Sequence, residues 1–76
     1  MARQLHGLPS RRVIRAFQRA GWRVARRKGS HVHLRKEGNP NILTIPVHGK
    51  RLKKGLVRKL INKAGLAVEE FLDYYH

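Results

Sequence analysis

Apolar positions recur at two periods along the chain. Val13, Ile14, Phe17 and Ala20 fall at helical spacing and make one apolar stripe, with Arg11, Arg12, Arg15 and Arg19 on the other side. Ser10 follows Pro9 and is placed to cap this helix, and Gly21 is placed to end it. A period of two then takes over. Trp22 and Val24 alternate with Arg23 and Ala25, and Lys28, Gly29 and Ser30 read as a turn. In His31-Val32-His33-Leu34-Arg35, Val32 and Leu34 face a core while His31, His33 and Arg35 share the opposite face. Residues 37–41, with Gly38 and Pro40, make a second turn, and residues 42–45 make a third strand ended by Pro46.

Helical spacing returns after a loop over residues 47–51. Leu56, Val57, Leu60, Ile61 and Ala64 form the inner face of a helix over about residues 53–64, closed by Gly65. Lys53, Lys54, Arg58, Lys59 and Lys63 fall on its outer side. A short third helix over 68–75 turns Phe71 and Leu72 inward. Helix, three antiparallel strands, helix and short helix make an α+β sandwich with the helices on one face of the sheet. At 76 residues the chain is one domain. Residues 1–9 read as a flexible arm and residues 67–76 as a C-terminal helix.

Charge changes the picture. Eighteen Lys and Arg stand against four Asp and Glu, for a formal net charge of +14. All the basic residues lie between Arg3 and Lys63, where Glu37 is the sole acid; Glu69, Glu70 and Asp73 sit in the tail. Such a field attracts polyanions, and nucleic acid is the first candidate because phosphate contacts supply non-specific affinity. There is no cysteine, so disulfides, thiolate zinc sites and thiol nucleophiles are excluded, and a reducing, cytoplasmic setting fits. No apolar run reaches the roughly 18 residues of a membrane span, and the first seven residues hold no apolar signal core.

The residue types also narrow the chemistry. Metal-dependent nucleases use several carboxylates to hold hard cations, and this basic stretch offers only Glu37. A Ser–His–Asp triad lacks its acid for the same reason. What remains is histidine acid–base chemistry among cations, with no metal and no cofactor. RNA suits it because the substrate brings its own nucleophile, the 2′-hydroxyl. Of five histidines, His6 and His76 lie near the ends. His31 follows a turn in which Gly29 lets the backbone approach a phosphate, Ser30 offers a hydroxyl and Lys28 a charge. His33 points to the same side, and His48 opens the loop before the second helix. A His-x-His pair is also a common exposed strand face, and with His48 it could instead bind a transition metal, against which the positive surroundings weigh.

Four segments in order, Ala20-Gly21-Trp22, Lys28-Gly29-Ser30-His31, Ile45-Pro46-Val47-His48-Gly49-Lys50 and Lys54-Gly55-Leu56-Val57-Arg58-Lys59-Leu60-Ile61, resemble the HicA (YcfA-like) family. The stretch from Ala64 to Leu72 is similar to the tail of its longer members. The resemblance implies a fold like a double-stranded-RNA-binding domain, α-β-β-β-α, here with a short extra C-terminal helix. It implies a toxin of a type II toxin–antitoxin system, an endoribonuclease that cleaves mRNA and is neutralised by a HicB-type antitoxin. Its catalytic histidine matches His31, preceded by Gly29 and Ser30. His48 matches a frequent histidine of the post-strand loop. Many members carry a second histidine directly after the first, where this chain has Val32 and then His33. The RNA-binding set expected on these grounds is Lys28, Gly29, Ser30, His33, Arg35, His48 and Lys50, with His31 catalytic. The alternative is a non-catalytic RNA-binding module of the same fold.

Overall fold

The computed structural model describes residues 5–47 and 51–76. In chain order the elements are β1 (Leu8–Pro9), α1 (Ser10–Arg19), β2 (Arg23–Lys28), β3 (His31–Lys36), β4 (Asn39–Pro46), β5 (Arg51–Leu52), α2 (Lys54–Lys63) and α3 (Val68–Tyr75). β2, β3 and β4 form an antiparallel sheet with β3 in the centre, and β1 pairs with β5 in a small separate ladder. This is the α-β-β-β-α order with an added C-terminal helix. Val32, Leu34, Leu43 and Ile45 bury one face of the sheet in a core shared with Val13, Phe17, Val57, Ile61 and Phe71. Alternation in β3 and β4 therefore leaves their other residues on an open face. Among the described residues no helix is long and apolar enough to cross a membrane.

The first turns of the chain depart from expectation. Residues 5–9 are not a loose arm: Leu5 is 1% exposed. Leu8 and Pro9 pair with Leu52 and Arg51, and the Arg51 guanidinium donates to the Gly7 carbonyl at 2.7 Å. A tie across more than forty residues has no local signature. It also moves the helix cap. Pro9, in extended conformation, is the N-cap of α1, and Ser10 is the first helical residue, buried and making no capping bond. The expected C-terminal stop is present. Gly21 adopts φ 103°, its N–H donates to Gln18 O at 3.0 Å, and that of Trp22 to Phe17 O at 2.9 Å. Lys36 adds its ammonium to the Ala20 carbonyl at 2.8 Å, a cation where the helix dipole is negative.

β4 begins three residues earlier than expected, at Asn39, so the turn shrinks to Glu37 and Gly38. Pro40 is tolerated because β4 is an edge strand, where a missing N–H costs no ladder bond. The Asn39 and Asn41 amides donate to the Lys63 carbonyl and so fasten the end of α2 to the sheet. α3 closes the core from the α1 side. Phe71 lies 5.0 Å from Phe17 between ring centroids, the Arg12 guanidinium sits 4.5 Å over the Tyr75 ring, and Arg19 donates to Tyr74 O at 2.7 Å. Its start is capped by its own acid, Glu70, which accepts the Ala67 N–H at 2.8 Å.

Candidate nucleic-acid interface

The β2–β3 hairpin closes with two residues, Gly29 and Ser30, between the facing pair Lys28 and His31. Gly29 has φ 58° and Ser30 does not have positive φ, the pattern of a type II′ turn with glycine at its first central position. A Cβ at Gly29 would meet nothing within 4 Å, so the outer side of this backbone is open to a ligand. The inner side is held: Val47 donates its N–H to the Ser30 carbonyl at 2.7 Å, just past the end of β4. Lys28 is the last residue of β2 and not part of the turn.

Cross-strand register sets out the open face in rows. Lys28, His31 and Pro46 make one row, and Arg26, His33 and Thr44 the next. Arg23 stands opposite Arg35. His33 Nδ1 and Thr44 Oγ1 are 3.0 Å apart, which fixes the half-buried His33 ring. His31, two residues earlier, is exposed at the mouth of the hairpin. A shallow groove of about 380 Å³ runs over this face, lined by Ala25, Arg26, His33, Arg35 and Ile42. Among the described residues no acid lines it. Six basic or imidazole side chains, Arg23, Arg26, Lys28, His31, His33 and Arg35, thus share a surface where attraction for phosphate is the dominant electrostatic effect. Among the described residues no group of three or more His, Cys, Asp and Glu comes together.

Of the residues singled out in the sequence, Lys28, His31, His33 and Arg35 lie on this one face, and Gly29 and Ser30 form its rim turn. His48 and Lys50 lie outside the described residues. Arg26 and Thr44 join them on the open face. Strict alternation from Trp22 would send Arg26 and Lys28 to the helix side. A register shift between Val24 and Arg26 reverses the alternation, bringing both to the open face and sending Arg27 behind the sheet. Thr44 was legible as a polar position between Leu43 and Ile45, but its partner was not.

Residues 10–66 match the family described as HicA toxin of bacterial toxin-antitoxin, well over half of the chain. The chain belongs to the HicA toxin family. No curated protein matches it. As a HicA-family chain it is the toxin of a toxin–antitoxin system and has an antitoxin as partner. The matched stretch runs from α1 past the end of α2 and takes in the whole open face. α3 lies beyond it, although Phe71, Leu72 and Tyr75 complete the same core.

Proposed function

We propose that this HicA-family toxin is a metal-independent endoribonuclease that cleaves mRNA with His31 as its catalytic residue. The observation that carries the reading is the pairing of His31 with Lys28 at the rim of an open cationic face, across a turn whose outer backbone is unobstructed. His31 takes the proton from a ribose 2′-hydroxyl. The 2′-oxygen attacks the adjacent phosphorus, the P–O5′ bond breaks, and the 5′-oxygen leaves with a proton from solvent. Lys28, with Arg26 and the Gly29 and Ser30 amides of the turn, stabilises the extra charge on the phosphorane. His33, held by Thr44, and Arg35, successively further along β3 from His31, bind the strand to one side of the cut, and His48 and Lys50 extend the contact. The shortage of acids supports metal independence, since four carboxylates serve the whole chain and three of them lie in the tail. No cofactor is needed.

The partner in this reading is a HicB-type antitoxin whose acidic surface covers the same face and blocks it, steered by opposite charge. Both act in the cytoplasm, where translated mRNA is found. The test is an RNA oligonucleotide incubated with the toxin in EDTA, beside copies carrying a single 2′-deoxyribose. Cleavage that leaves a 2′,3′-cyclic phosphate and skips the 2′-deoxy position supports the mechanism. Cutting at the 2′-deoxy position, or loss of all cutting in EDTA, contradicts it.

A further inference from the structure

The edge strand β2 is exposed along its whole length and carries positive charge on both sides. Arg23, Arg26 and Lys28 lie on the open face, while Arg27, opposite the core residue Val32, lies on the helix side. There a second groove of about 400 Å³ separates α1 from β2, lined by Arg11, Ile14, Gln18, Val24, Arg27 and Val47. Its size falls within the roughly 300–1,000 Å³ of small-molecule clefts. The α1 residues come from one helical face at spacings of three and four. They supply an arginine, an aliphatic side chain and an amide. β2 supplies a second arginine and Val24, which is 38% exposed. Among the described residues no acid lines the groove.

We propose that this groove binds a nucleotide of the RNA strand that flanks the one presented to His31; the assignment rests on the RNA reading above. The chemistry matches a nucleotide part for part. Arg11 and Arg27, one on each wall, suit a phosphate. Ile14, Val24 and Val47 make an apolar patch for the flat face of a base. Gln18 carries both a donor pair and an acceptor, enough to distinguish base edges. The connection to the first site is short. Arg27 precedes Lys28, and Val47 is the residue whose N–H holds the Ser30 carbonyl. RNA running from the open face past the Gly29 turn reaches this groove by bending around the edge of β2.

The experiment uses the full chain carrying His31→Ala, so that RNA stays intact, and a fluorescent twelve-nucleotide single-stranded RNA. Arg11→Gln with Arg27→Gln weakens binding about tenfold, the loss of one charge-assisted contact. Arg15→Gln with Arg58→Gln removes the same charge from exposed positions outside the groove and changes affinity less than about twofold by general screening. In parallel, the Gln18 side-chain amide and the Ile14 and Val24 methyl resonances shift on RNA titration. Equal loss from both double variants, or shifts confined to the open face, overturns the proposal. So does unchanged RNA affinity with loss of antitoxin binding, which would make the groove a protein contact. If the parent fails to cut RNA, the catalytic reading falls while a positive binding result stands; if the His31→Ala chain binds no RNA at all, the groove assignment falls with it.

Discussion

His33 Nδ1 lies 3.0 Å from Thr44 Oγ1 across the β3–β4 ladder, while His31 projects from the hairpin mouth opposite Lys28. One strand therefore presents a fixed imidazole and an exposed one on the same face. The fixed ring suits a binding role, and the exposed one suits proton transfer to a substrate that must approach it.

Thr44→Val removes the bond that holds His33 and leaves the shape nearly unchanged. It costs about 0.5–1.5 kcal/mol, near the lower end because Thr44 is exposed. In a double-mutant cycle with His33→Ala the two changes are non-additive. Strict additivity in urea unfolding would show that the bond does not form in solution.

Gly29→Ala tests the turn. With open space around the new Cβ, the penalty is purely that of φ 58° for an L-residue, about 1–2 kcal/mol. Each kcal/mol lowers Tm by roughly 4–8 °C in a domain this small. Gly29→Asn loses less, because asparagine visits this region more readily. An unchanged melting temperature for the alanine variant would mean the turn has another geometry.

α3 lies outside the matched family stretch yet supplies core. Phe71→Ala opens a cavity beside Phe17 and costs about 3–5 kcal/mol, a large share of the roughly 5–15 kcal/mol that stabilises a typical domain. The exposed neighbour change Asp73→Ala stays within about 0.5 kcal/mol. Equal denaturation midpoints for the two would show that α3 is not part of the folding unit.

If the chain binds RNA as proposed, its affinity falls steeply with salt, the outcome expected for a net charge of +14. If Lys28 contacts phosphate, Lys28→Gln weakens binding to all sequences alike and lowers the salt slope by about one. A loss confined to certain sequences would point to base recognition by Lys28 instead.

Much of the fold was legible because its signals are local. The stripe through Val13 and Phe17 and the alternation through Val32 and Leu34 each depend on neighbours a few residues away, and each faces the core as its period requires. The departures from the sequence pattern share a different cause. Leu8 and Pro9 are ordered by Arg51 and Leu52, far along the chain, so local sequence gives residues 5–9 no sign of order and marks Ser10 as a cap. At the candidate site, the gathering of His31, His33 and Arg35 follows from alternation alone. Arg26 joins them through a bulge that no pattern of apolar residues announces, since every side chain of β2 is exposed.

The most direct test of the central claim is cleavage of a long unstructured RNA in EDTA by the parent protein and by His31→Ala. His31 is exposed, so the variant folds with stability within about 0.5 kcal/mol of the parent. The parent cleaves, and the variant's rate is at least about 100-fold lower, the scale of a lost general base. Equal cleavage by both would contradict the role of His31, and binding by both without cleavage would leave an RNA-binding module.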